Sequence, residues 1–194
     1  RCLSRGLGDV YKRQLETYIQ QECKTTDTLY KYTKLIPKVM AGIQWFLSRS
    51  GPCSQSFLEA GGFARSSHDR KIPNIQFHFF PSFVINHGTV NASSHGYQLH
   101  ASPNQPKSRG SIKLSSSDPY DYPKILFNYL EHEDDLKQTR ECIHVARKIL
   151  SQPALAKYSG KEIGPGAEMQ SDDDLNEYIK SNAETAYHPC GTLK

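Results

Sequence analysis

Four short strand-like runs, residues 57–63, 74–81, 96–102 and 110–114, follow one another with no helical pattern between them. In the second, Ile75, Phe77 and Phe79 alternate with Gln76, His78 and Phe80. That period of two puts successive side chains on opposite faces of a sheet. A parallel sheet places a helical crossover after each strand. These runs lack that rhythm, so they read as an antiparallel meander, with residues 107–110 turning between the last two. Gly61 and Gly62 in the first run leave room for a second backbone or a ligand to come close. Glu59 sits in that run among apolar neighbours. A carboxylate there can face a cationic ligand or answer a structural arginine or backbone amide.

Helical signals lie on either side of these runs. Leu15 and Ile19 share a side of a short helix predicted over residues 15–23. Pro37 suits a first helical turn, and Val39, Met40, Ile43, Phe46 and Leu47 follow at helical spacing until Gly51-Pro52 ends the pattern. Met40 and Trp45 read as packing residues. Residues 118–123 are loop punctuation, with prolines at 119 and 123. Glu131, Glu133, Asp134 and Asp135 then crowd the start of a strong helix, where negative charge is favoured, and read as a solvated face. Its buried stripe is Leu136, Thr139, Cys142, Ile143, Ala146, Ile149 and Leu150, and Pro153 closes it. Residues 160–166 read as a loop. Ser171 with Asp174 three residues on caps a last helix with Leu175, Tyr178 and Ile179 inward. The fold class is therefore α+β, an antiparallel sheet packed against helices.

Charge and composition narrow the function classes. With 24 basic and 20 acidic residues the balance is too even to argue for nucleic acid. No apolar run approaches the ~20 residues of a membrane span. Cys2, Cys23, Cys53, Cys142 and Cys190 are odd in number, scattered and free of any Cys-x-x-Cys pair. They suggest neither zinc nor a disulfide framework and fit a reducing compartment. Residues 1–14 are basic but lack the apolar region and small-residue cleavage site of a signal peptide. They resemble translated adaptor sequence, and are read as a non-native or disordered leader ahead of a domain at 15–194.

The last predicted helix delivers the chain to residues 183–192, Ala-Glu-Thr-Ala-Tyr-His-Pro-Cys-Gly-Thr. A residue before proline is pushed toward extended conformations, so His188 is expected on a stiff loop. An imidazole with a pKa near about 6.5 can accept a proton at working pH. By itself such a loop histidine is more often structural.

The segment 187–192 after Ala183-Glu184-Thr185 resembles the catalytic-histidine segment of the glucose–methanol–choline family of flavin oxidoreductases. The resemblance also runs through residues 15–21, 58–63, 73–79, 107–110, 128–130, 152–155 and 160–166. Each motif is weak alone; their order and spacing make them strong together. The resemblance implies a partial substrate-binding domain, FAD as cofactor, and oxidation of choline or a related alcohol by hydride transfer, with His188 as general base. It implies Pro189 and Cys190 beside the cofactor. Phe57, Glu59, Phe63 and Tyr187 are candidates to surround a quaternary ammonium, which aromatic faces and a carboxylate can hold. His87 lies roughly where related choline oxidisers place a second pocket histidine. No Gly-x-Gly-x-x-Gly follows a strand, so the dinucleotide-binding half is not in this sequence. Leu193 stands where the family usually has cysteine. By itself the chain is expected neither to retain flavin nor to turn over.

The resemblance leaves the electron acceptor open. It places the complete protein in the cytoplasm or peripherally on the cytoplasmic side of a membrane. Two rivals from other classes are a metal hydrolase using His78, His87, His95 and His100, and a non-catalytic module binding a small cation. Against the first, the histidine spacings are irregular and no companion acid cluster appears.

Overall fold

The computed structural model describes residues 12–58, 60–84 and 92–191. The sequence-predicted α+β class holds. The elements are β1 (Lys12–Cys23), α1 (Leu35–Ser48), β2 (Ala60–Ala64), β3 (Ile75–Phe80), β4 (Gly96–Pro103), β5 (Ser111–Lys113), β6 (Lys124–Leu126), α2 (Glu133–Leu150), β7 (Ser159–Gly164), α3 (Asp172–Asn182) and β8 (Glu184–Cys190). The main sheet has the order β2-β3-β4-β1-β7, with β8 also paired to β1, and every pairing is antiparallel.

Residues 15–23 form most of a central strand, not a helix. Leu15 and Ile19 are four apart, which satisfies a period of two as well as one of 3.6. What decides is that Leu15, Thr17 and Ile19 face the helices while Gln14, Glu16, Tyr18 and Gln20 face the other way. Both sets are largely buried, so polarity hides the alternation. Residues 160–166 are likewise mostly strand, in β7. Gly160 is required there, because a Cβ would lie 2.9 Å from the Cβ of Glu22. The meander is real for β2, β3 and β4, but β5 leaves the sheet and pairs with β6 instead.

The core lies on one face only. Ile19, Ile75, Phe77, Tyr97, Leu99 and Ala101 from the sheet meet Cys142, Ile143, Ala146 and Leu150 of α2 and Leu175 and Ile179 of α3. Ser171 and Asp174 form the predicted capping box of α3. The acidic start of α2 is not wholly solvated: Asp135 is buried and accepts hydrogen bonds from the backbone N–H groups of Lys107 and Ser108, both at 2.7 Å. It ties the chain after β4 to the head of α2. Ile149, placed in the buried stripe, is half-exposed. Arg147 makes a paired contact with Glu162 of β7 at 2.7–3.2 Å, and also donates to the carbonyls of Gly166 and Met169. Helix α1 contradicts its packing assignment, since Met40 and Trp45 are exposed and Ala41 is its one buried residue. No helix among the described residues is long and apolar enough to cross a membrane.

Candidate functional site

The sheet face away from α2 and α3 is polar. Cross-strand register sets out its rows. Gly61 stands opposite His78, His78 opposite His100, and His100 opposite Tyr18. In the neighbouring row, Phe63 stands opposite Gln76 and Gln76 opposite Ser102. This is the reverse side of the alternation that buries Ile75, Phe77, Leu99 and Ala101.

Buried polar groups on this face are paired. The Gln98 side-chain amide donates to His100 Nε2 at 2.5 Å. That leaves the proton on Nδ1, which donates to Glu16 Oε1 at 3.0 Å. Tyr18 sits edge-on to His100, with ring centroids 4.5 Å apart, and donates its hydroxyl to Glu184 Oε2 at 2.7 Å. Burial, reinforced by the Glu184 and Glu16 carboxylates, pushes the Tyr18 hydroxyl far above the usual phenol range.

His188 reaches this face through a bulge. Leu15 pairs with Thr185 and Arg13 with Pro189, so two steps along β1 match four along β8. Tyr187 takes up the excess in the left-handed region, at φ 57°, a conformation uncommon for an aromatic residue. Such bulges re-aim a side chain. Here the exposed His188 ring is brought edge-on to His78, with centroids 6.1 Å apart. The expected loop is therefore an irregular strand. His188 Nδ1 lies 2.8 Å from Gln14 Oε1. The Gln14 amide nitrogen faces Ser102 Oγ at 2.7 Å, Gln76 Oε1 at 3.2 Å and Asn104 Oδ1 at 3.3 Å, which fixes its orientation. Because Oε1 can only accept, Nδ1 carries the proton and Nε2 keeps its lone pair. Gln14, placed with the leader in the sequence reading, thus lies in β1 and against His188.

His78 is half-buried, and desolvation holds its imidazole below the usual range. The neighbouring His100 and His188 add to that lowering, while Glu16 opposes it. Two imidazoles on an open sheet face can accept a proton and position a hydroxyl. Together with the Pro189–Cys190 backbone they fit the reactive ring end of a cofactor, not its phosphates. Among the described residues this edge has neither a glycine-rich turn at a helix start nor a cluster of bases.

The other predicted site residues scatter. Glu59 and His87 lie outside the described residues. Tyr187 and Cys190 are exposed, and Cys190 pairs through its backbone with Lys12. Phe63 is exposed on the polar face. Phe57 stands edge-on to Phe80 at 6.2 Å and lines a cavity of about 570 Å³ with Leu29, Tyr32, Ala41, Phe80 and Phe83. Neither Phe63 nor Tyr187 lines it among the described residues. His95 is drawn away by its 2.8 Å hydrogen bond to Thr28. No His/Cys/Asp/Glu group that could hold a metal occurs among the described residues. Sequence reading missed the pairing of His78 with His188. The available signal was the polar alternation Gln76-x-His78 facing Gln98-x-His100.

This combination, an antiparallel sheet with helices on one face and histidines on the other, is the fold of a domain found in flavin-dependent oxidoreductases. A formate oxidase structure from Aspergillus oryzae, concerned with its FAD modification, superimposes with a TM-score of 0.85 at 19% identity, over 97% of this chain and 38% of that one. Pyridoxine 4-oxidase from Mesorbium loti gives 0.74 at 19% identity, over 96% and 33%. At such identities the likeness shows the fold alone. Residues 106–194 match the family model described as GMC oxidoreductase. "Oxygen-dependent choline dehydrogenase" of Cronobacter sakazakii is 41% identical over 189 residues, which is 97% of this chain and 34% of that protein. The same-named protein of Klebsiella pneumoniae strain 342 is 42% identical with the same coverage. The chain belongs to the glucose–methanol–choline oxidoreductase family, whose members are FAD-dependent, and spans about a third of the length of these curated relatives.

Proposed function

We propose that this chain is the substrate-side portion of an FAD-dependent alcohol dehydrogenase that oxidises choline to betaine aldehyde. The observation that carries the reading is His188, turned by the β8 bulge onto the polar face beside His78. The 41–42% identity to choline dehydrogenases over nearly the whole chain supports the substrate.

His188 Nε2 is the proton acceptor. With Nδ1–H held by Gln14, the ring presents its lone pair outward from the sheet. His78, kept neutral by desolvation, positions the alcohol oxygen from the other side. As the alcohol is oxidised to the aldehyde, its hydroxyl proton passes to His188 Nε2. Bound FAD would accept the hydride from the carbinol carbon; the Pro189–Cys190 backbone and the two imidazoles are the groups of this chain that would border it. Glu59 and His87 remain candidate contacts for the substrate, and Tyr187 offers an aromatic surface for a quaternary ammonium. Residues 1–14 remain a candidate non-native leader.

One observation favours another alcohol. The described residues assemble no aromatic cage beside His188: Phe57 lines a separate cavity, and Phe63 and Tyr187 are exposed. The test is choline oxidation by the complete protein that carries this chain, against a panel of neutral alcohols. Preference for choline, lost in His188→Ala, supports the first reading. Preference for a neutral alcohol supports the second. The 194-residue chain alone is expected neither to hold flavin nor to turn over; flavin absorbance and choline oxidation with this chain would contradict that.

A further inference from the structure

Little of the sheet ladder holds His188 in place. Helix α3 ends at Asn182, and Ala183 caps it. Ahead of the bulge only Glu184 and Thr185 pair with β1, opposite Glu16 and Leu15. Beyond the bulge the next pair is Arg13 with Pro189, and a proline brings no N–H to the ladder. Tyr187 lies between these pairs at φ 57°, and its N–H donates to Thr185 Oγ1 at 3.1 Å. An aromatic residue in the left-handed region persists only where its surroundings over-determine it.

Side chains ahead of the bulge supply the missing constraint. Glu16 and Glu184 are cross-strand partners, and like charges directly opposite each other destabilise a sheet. Each carboxylate has its own donor: His100 Nδ1 for Glu16 at 3.0 Å, and the Tyr18 hydroxyl for Glu184 at 2.7 Å. Tyr18 is itself fixed from several directions. Its ring lies edge-on to His100 of β4, and its backbone carbonyl accepts from the Tyr178 hydroxyl of α3 at 2.9 Å. Its hydroxyl, held far above the usual phenol range by burial and by the two carboxylates, donates at any working pH. Glu184 is thus tied to a rigid point of the sheet four residues before His188. The His78 imidazole lies in the field of both Glu16 and His188, so this cluster adjoins the two histidines.

We propose that Tyr18 and Glu184 are positioning residues: their hydrogen bond pins β8 ahead of its bulge and sets where the His188 imidazole stands. Both act through His188. The inference rests on His188 being the proton acceptor, and it adds what holds that acceptor on target. It also accounts for a carboxylate kept opposite another one, a local conflict of the kind that sheets tolerate at functional positions.

The test is the kinetics of the complete, FAD-loaded protein carrying this chain, on its preferred alcohol. The variants are Tyr18→Phe, Glu184→Gln, Glu184→Ala and His188→Ala, with Tyr18→Phe also combined with His188→Ala. Tyr18→Phe keeps the ring and removes only the donor. It should lower kcat by roughly 10–100-fold with bound FAD retained and KM within about threefold, because a displacement of about 1 Å in a reacting group costs up to about 10²-fold. Glu184→Ala should match it. Glu184→Gln keeps an acceptor for the hydroxyl and should stay within about threefold of wild type. Added to His188→Ala, Tyr18→Phe should cost nothing further, since no imidazole is left to position. Tyr18→Phe and Glu184→Ala with wild-type kcat but a lowered melt, beside a disabled His188→Ala, would overturn the pin and leave His188 as the base. A full further loss on top of His188→Ala would overturn it too, as would Glu184→Gln as impaired as Glu184→Ala. Wild-type activity in His188→Ala would instead sink the proton-acceptor reading. A crystal structure of Tyr18→Phe separates the two cases: the bulge and the His188 ring unmoved would overturn the pin whatever the kinetics.

Discussion

Glu16 is the charge on which the polar face of the sheet is built, and two substitutions separate what its charge does from what its hydrogen bond does. It is buried and accepts the Nδ1 proton of His100 at 3.0 Å, and the Tyr18 hydroxyl lies 3.5 Å from the same oxygen. Glu16→Gln keeps an acceptor of the same shape and removes the charge. A hydrogen bond to a charged group contributes roughly 1 kcal/mol more than a neutral one, so this variant should lose about 1 kcal/mol. Glu16→Ala strands the buried Nδ1–H of His100 and opens a void. Leaving that buried donor unsatisfied costs about 1–3 kcal/mol, and the void adds roughly 1 kcal/mol more. For a chain of this size about 1 kcal/mol moves Tm by roughly 2–4 °C. The expected falls are therefore about 3 °C for Gln and roughly 10 °C for Ala. Urea unfolding at neutral pH, followed by circular dichroism, measures both. Because Glu16 raises the proton affinity of His78, Glu16→Gln should also lower the His78 titration midpoint seen by NMR. Equal losses for Gln and Ala, or less than about 1 kcal/mol for Ala, would refute a buried, geometry-dependent pair.

Other regions make independent predictions. Burial raises the phenols of Tyr18, Tyr97 and Tyr178, the last to about 12. A raised folded value means that the stabilisation is present below the usual phenol value near about 10 and lost as pH climbs beyond it. Stability should therefore fall above that pH, with Tyr178 alone accounting for roughly 2–3 kcal/mol, and Tyr178→Phe should flatten the decline. At the other end, the His78 imidazole is lowered by burial. Folding should weaken as pH drops below about 6.5, and His78→Gln should remove that component from a pH series of melts. Arg147→Met leaves Glu162 buried and unpaired and frees the carbonyls of Gly166 and Met169. It should cost about 3–5 kcal/mol, and adding Glu162→Leu should restore much of it; no restoration would show that the carbonyl contacts dominate.

The class of the fold and both long C-terminal helices were legible in the sequence because their signals are local. Alternation at residues 75–80 and the Ser171/Asp174 cap required no tertiary context. The error at residues 15–23 has a physical source. A strand buried on both faces, one lined by Leu15 and Ile19 and the other by Glu16 and Tyr18, shows no polar-to-apolar contrast to read. Residues 160–166 misled because their glycines and proline resemble a loop, whereas Gly160 is there to let an edge strand approach β1. His188 was singled out as a candidate through its flanking motif. Its neighbour His78 was not, because the pairing depends on a bulge that no local pattern announces. The exposure of apolar residues on α1 was equally invisible, since periodicity gives the spacing of a stripe and not the direction it faces.

The central claim is that the bulge in β8 presents His188, seconded by His78, as the proton acceptor of an alcohol oxidation. The most direct measurement is the pH profile of choline oxidation by the complete, FAD-loaded protein carrying this chain, with His188→Ala and His78→Ala beside the wild type. The account predicts that His188→Ala lowers kcat/KM by roughly 10²–10⁴-fold and removes the acidic limb of the profile while bound FAD is retained. His78→Ala should have a smaller effect and keep that limb. A His188→Ala protein within about threefold of wild type, with its acidic limb intact, would contradict the account.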